Sequence, residues 1–259
     1  MQAIAEGYVQ TDLHQHIATI RFFHPQSNSL PGRLLAELAQ AISAAGANDD
    51  CRVIVLRADG EKAFCAGASF TELSAIETEE QGLRFFSGFA QVINAMRKCG
   101  KLIIGRIHGR CVGGGVGLAA ACDYALATSQ ADVKLSELAV GIGPFVIGPA
   151  VQRKIGLSAF SQLALEASQF QPAAWAHSKG LFAAVHPGIE ALDEAVYAMA
   201  TSLAGRNPQA LAGLKQIFWE GTDDWDALLH GRAAMSGQMI LSEFSKEAIG
   251  RFKAGARNI

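Results

Sequence analysis

Phe64-Cys65-Ala66-Gly67-Ala68-Ser69 and Gly113-Gly114-Gly115-Val116-Gly117 are two glycine-rich turns, each set between an apolar, strand-like run and a helical pattern. The start of a helix leaves backbone N–H groups without partners, and side chains this small let a ligand oxygen come close to them. Two such turns in one chain can each point one N–H at the same oxygen. That arrangement stabilises negative charge developing on a carbonyl oxygen. A single turn of this kind is read more simply as a tight bend or a close helix contact. Their recurrence with similar flanks favours the paired, functional reading.

Working outward, His16 to Phe23 reads as a strand rich in β-branched and aromatic residues, closed by Pro25. A helical pattern over 33–46 puts Leu34, Leu35, Leu38 and Ile42 on one face, and Val53-Ile54-Val55-Leu56 reads as a buried strand. Residues 71–83 are acidic and loop-like, ahead of an amphipathic helix carrying Phe85, Phe86, Phe89 and Ile93. Strands are expected at Leu102-Ile103-Ile104 and at 123–127, with a small-residue helix after the second turn. Strand, strand, turn and helix thus recur, which predicts an α/β body built on a parallel sheet. Beyond about residue 158 the pattern is almost wholly helical. Asn207-Pro208 is a helix start, and 208–219, 224–240 and 243–254 read as helices. The expected division is a body at 1–198 and a helical region at 199–259.

At 259 residues the chain can bury a sizeable core, and its formal charge of −2 offers no general attraction for nucleic acid or an anionic membrane. No signal peptide or membrane span is evident. The five cysteines show no paired spacing, so they are read as reduced thiols of a cytoplasmic protein, with no disulfide framework and no zinc site. His14 and His16 are read as surface residues on a strand.

With these features in order, the chain resembles the enoyl-CoA hydratase/isomerase, or crotonase, family. The resemblance rests on Asn28-Ser29-Leu30, Ala63 to Ala68, His108-Gly109 leading to Gly113-Gly114-Gly115, Ser136-Glu137-Leu138 and the helical tail. It implies a crotonase-like spiral of ββα repeats with a C-terminal helical region, assembled as trimers or pairs of trimers. It also implies that the N–H groups of Ala68 and Gly114 hold the thioester oxygen of an acyl-CoA, with no cofactor or metal required. Ala66 maps to the adenine pocket, Lys62 to a phosphate contact and Lys253 to the neighbourhood of a second one. Phe252 maps to an aromatic that closes the acyl pocket, in the same or the next subunit. Ser69 and Thr71 depart from the family pattern of that loop.

The departure that bears on chemistry is Gly117, where family hydratases carry a glutamate; Glu137 matches their second one. One carboxylate suffices to move a double bond, because the same group can remove a proton at one carbon and return it at another. Phe145, eight residues after Glu137, stands where hydratases have a glycine, and the run Gly141 to Phe145 is similar to that of family isomerases. Isomerisation with Glu137 as the single base is therefore the favoured reaction. Hydration assisted by Glu72, Glu77, Glu79 or Glu80, decarboxylation of a malonyl-type thioester, and non-catalytic acyl-CoA binding are the alternatives. Gly115 to Ala120 formally matches a dinucleotide fingerprint, but residues 124–129 end without the carboxylate that fold requires.

Overall fold

The computed structural model describes residues 6–256, with side chains through Arg251. Among the described residues nine strands divide between two sheets in an alternating way. Strands β1 (Tyr8–His14) and β2 (Ile17–Phe23) form an antiparallel hairpin, and β3 (Val53–Ala58), β5 (Leu102–Ile107), β7 (Tyr124–Thr128) and β9 (Ala184–His186) extend it in parallel. The short strands β4 (Ala63–Cys65), β6 (Arg110–Val112) and β8 (Val133–Lys134) form a second parallel sheet in that order. Each successive repeat thus gives its first strand to the large sheet and its second to the small one. A helical segment follows each pair, so the chain advances as a spiral of ββα units.

The large sheet is covered on both faces, which is why β3 and β5 are apolar without alternation. Leu192, Val196 and Ala200 of the Ile189–Ala204 helix cover Val53, Val55, Ile104 and Leu126 on one side. On the other, the Gly32–Ala47, Glu79–Lys98 and Gly114–Ala121 helices build the main core around Phe22, Phe64 and Ile93. All eight residues of the Gly114–Ala121 helix are buried, so its glycines and alanines serve close packing on every side.

Several expectations change here. His14 ends β1, and His16 stands with Gln15 in the hairpin turn at positive φ, so the two are not alternating residues of one strand. The acidic stretch is ordered into a short helix, Phe70–Leu73, and a capping box at Thr78 and Gln81 that starts the Glu79–Lys98 helix. Strand β9 interrupts the region read as continuous helix. The division at 198/199 falls within the Ile189–Ala204 helix, because the apolar stripe that packs on the sheet continues to Ala204. The helices Pro208–Phe218, Trp225–Met239 and Glu243–Ala256 match the three expected, and Asn207 caps the first by accepting from the N–H groups of Gln209 and Ala210. Among the described residues no helix is long and apolar enough to cross a membrane.

A buried ion pair ties the Pro208–Phe218 helix to the sheet. Lys215 Nζ donates to Asp123 Oδ2 at 2.7 Å, both side chains being only 3% exposed. Trp219 Nε1 and the backbone N–H of Ile103 donate to the same carboxylate. Removing one partner of such a pair strands the other charge in a poor solvent. Lys215→Met is expected to cost about 3 kcal/mol of folding stability, read from urea denaturation.

Candidate active site

The two glycine-rich turns meet. A side chain at Gly115 would place its Cβ 2.9 Å from Cys65 Cβ and closer still to the Cys65 carbonyl oxygen, and one at Gly67 would lie 3.6 Å from the Gly114 nitrogen. Gly67 and Gly113 both adopt positive φ, +90° and +53°, which favours glycine at these bends. Leu30 donates its N–H to Gly67 O at 2.7 Å, and Ser69 donates to Leu30 O at 3.1 Å. This parallel bridge skips the N–H of Ala68, which has no acceptor among the described residues. Gly114 is the first residue of its helix, and its N–H is likewise without an acceptor there. Two free donors therefore stand on adjoining turns.

Both turns border a cavity of about 800 Å³, lined by Ala66, Gly67, Ala68, Gly113 and Gly114 on this side. Its remaining wall is largely apolar, including Phe85, Phe86, Phe89, Ile142 and Ile147. Glu137 is the only carboxylate among the lining residues. It opens a one-turn 3₁₀-helix, Glu137–Val140, directly after β8. Glu137 Oε1 lies 3.0 Å from where a Cβ on Gly113 would stand, so the glycine there leaves room for the carboxylate. Its Oε2 is buried with no hydrogen-bond partner among the described residues. Loss of hydration raises the carboxyl from 4.5 to about 7, against the pull of its own backbone N–H. A carboxyl so placed is poised to exchange a proton near neutral pH.

The structure sorts the other expected residues. Ala66 and Phe145 line the cavity; Lys62 is exposed and does not. Gly117 is not a lining residue either, because Ile147 Cγ2 would lie 2.6 Å from a Cβ there and occupies the space a side chain needs. The ring of Phe89 packs on Gly114, so a side chain at that position meets Phe89 first. The side chains of Phe252 and Lys253 lie outside the described residues. Glu72 accepts from the Gly32 N–H at 2.9 Å, Glu80 pairs with Arg84, and Glu79 accepts from Gln238, so these carboxylates serve helix ends and surfaces. Glu77 is exposed and also absent from the cavity wall.

Lys134 is a lining residue the sequence reading missed. Its ammonium sits 4.4 Å from the centroid of the Phe170 ring, with the Arg110 guanidinium 5.1 Å from the same ring. Neither cation has a carboxylate partner among the described residues. A two-residue strand such as β8 leaves no periodicity from which its direction could be read.

A spiral of ββα units carrying two free N–H groups and one buried carboxylate in an apolar cavity defines the class of protein. The sequence matches the enoyl-CoA hydratase/isomerase family over residues 12–254, and the chain belongs to that family. It is 29% identical over 238 residues to the peroxisomal Delta(3,5)-Delta(2,4)-dienoyl-CoA isomerase of Arabidopsis thaliana, spanning 86% of this chain and 84% of that protein. It is 27% identical over 240 residues to a probable enoyl-CoA hydratase of Bacillus subtilis strain 168, spanning 92% of each. The crystal structure of an enoyl-CoA hydratase from Bacillus halodurans shares the fold, with a TM-score of 0.86, 94% of this chain and 99% of that one covered, and 19% identity. Relatives of both names occur, so the choice of reaction rests on the site.

The raised Glu137 carboxyl has a consequence for stability. Between pH 4.5 and about 7 the folded protein binds more protons than the unfolded chain, so stability falls as pH rises through this window. Glu137→Gln removes that loss. The variant is expected to match the unmodified protein at pH 4 and to exceed its stability at pH 8 by on the order of 2–3 kcal/mol, measured by denaturant unfolding at both pH values.

Proposed function

We propose that this protein is an enoyl-CoA isomerase in which Glu137 is the single base. The observation that carries the reading is the single carboxylate on a cavity bordered by two free backbone donors. Glu137 takes a C2 proton from a 3-enoyl thioester, and the electron pair of that bond moves toward the carbonyl, giving a dienolate. The N–H groups of Ala68 and Gly114 receive the charge on oxygen. Protonation at C4 by the same carboxyl then leaves the double bond at C2–C3. Atoms and charge balance without a cofactor, metal or second base.

Hydration needs a further group to hold and deprotonate water. Ile147 fills the space beside Gly117, and Glu72, Glu79 and Glu80 are engaged elsewhere. The same features argue for proton transfer over water addition. Lys134, which lines the cavity and has no acidic partner among the described residues, suits a phosphate of the coenzyme better than Lys62, which does not line it. Assembly as a homotrimer or homohexamer belongs to this reading, as does a cytoplasmic setting in which the five buried cysteines stay unpaired.

Two measurements test it. Incubated in heavy water with 3-enoyl-CoA, the protein is expected to incorporate deuterium and shift the double bond, with kcat/KM rising through an apparent pKa near 7. Glu137→Gln keeps the shape but not the base, and turnover is expected to fall by about a hundredfold or more. A fully active Glu137→Gln protein would refute the single-base mechanism, and robust gain of water by the unmodified protein would refute the isomerase assignment. For the coenzyme contact, Lys134→Ala is expected to raise KM roughly tenfold with kcat nearly unchanged, since a charge remote from the reacting carbons binds ground and transition states alike.

A further inference from the structure

The Glu79–Lys98 and Trp225–Met239 helices run antiparallel and are fixed to each other at both ends. At one end Arg97 and Lys98 meet Asp226, at 3.4 and 2.5 Å. At the other, Gly82 faces Gly237 with no side chain between them. A Cβ on Gly82 would lie 2.6 Å from Gly237 Cα and 2.8 Å from its carbonyl oxygen, and one on Gly237 would lie 2.8 Å from the Leu83 nitrogen. The opposing atoms are backbone, so no change of rotamer relieves the contact. Each glycine is a poorer helix former than alanine, so its place here has to be earned by the contact. The glycines therefore bring the two helices closer than any side chain would allow.

This crossing stands at the apolar part of the cavity. Phe85, Phe86 and Phe89 line it from the first helix, and Ser236, the neighbour of Gly237, lines it from the second. Ser236 is 1% exposed and donates its hydroxyl to Arg232 O at 3.1 Å, so it presents little free polarity. Just beyond, Ile240 and Ile249 pack with Leu73, Phe86, Val140 and Ile142, four residues that also line the cavity. The last two helices thus form the outer layer of this wall, and the depth of the cavity depends on how closely they approach the phenylalanines.

We infer that the Gly82–Gly237 crossing is a specificity determinant that sets the longest acyl chain the cavity admits. The inference rests on the acyl-CoA reading above and deepens it. Forcing the helices apart opens the apolar end, and each added methylene that finds room there improves binding about fourfold. Gly231 supplies the control: it lies in the same helix with nothing within 4 Å of an added Cβ, so alanine there changes helix propensity without moving the wall.

The test is binding of a series of saturated acyl-CoA thioesters of increasing length, by calorimetry, to the full-length protein and its variants. Gly237→Ala is expected to move the optimum to longer chains, with affinity for a chain two methylenes beyond the original optimum rising about fifteenfold. Gly231→Ala is expected to leave the profile where it was. Ser236→Leu fills the same end and is expected to move the optimum to shorter chains, which keeps the test decisive if Gly237→Ala does not fold. An unchanged optimum in a folded Gly237→Ala protein, or in Ser236→Leu where the other does not fold, overturns the inference while leaving the acyl-CoA reading intact. No binding of any chain by the unmodified protein overturns that reading itself.

Discussion

The carbonyl oxygen of Cys65 lies where a side chain at position 115 would have to go, and this approach of one turn to the other is the constraint on which the site depends. It brings the Ala68 loop against the start of the Gly114–Ala121 helix, so that two unpaired N–H groups from distant parts of the chain lie on adjoining turns. The donors are free for different reasons. One is skipped by a parallel bridge to Leu30, and the other opens a helix. Neither depends on a side chain, and donors fixed in the backbone are the kind that meet developing negative charge without reorganising. The alternating delivery of strands to two sheets repeats the same geometry at each ββα unit, and the third repeat places Glu137 at the end of β8.

Glu137 shows how packing changes the ionisation of an ordinary residue. Its carboxylate lies beside Gly113, where a Cβ would crowd Oε1 at 3.0 Å, with Oε2 lacking a protein partner among the described residues. Burial opposes its ionisation and raises the carboxyl to about 7, at the expense of stability at higher pH. The wall that causes this shift is largely apolar and carries no second carboxylate among its lining residues. Ile147 against Gly117 makes the point at the level of a single contact, since the missing side chain is replaced by a methyl group from the following helix region and not by solvent.

Much of this was readable in the sequence because its signals are local. Glycine clusters mark the turns, the periodicity of 33–46 marks a helix, and Asn207-Pro208 marks a helix start that the structure reproduces with its cap. Glu137 was legible only through resemblance to a family, since a lone glutamate after Ser136 has the pattern of any helix-start charge. What escaped depends on distant partners or on very short elements. The β1–β2 turn uses Gln15 and His16 at positive φ in place of glycine, β9 has three residues, and β8, which aims Lys134 at the cavity, has two. That Phe89 covers Gly114 and Ile147 covers Gly117 is a property of tertiary packing with no trace in the residues nearby.

The central claim is that the Ala68 and Gly114 N–H groups act together on one thioester oxygen. Its most direct measurement is the carbonyl stretch of an isotope-labelled, non-reacting acyl-CoA bound to the protein, read by difference infrared spectroscopy. Two donors converging on one oxygen polarise the carbonyl more than water does, so the band is expected to move to lower frequency on binding. A bound thioester whose carbonyl band stays at its solution position, or moves to higher frequency, would contradict the account.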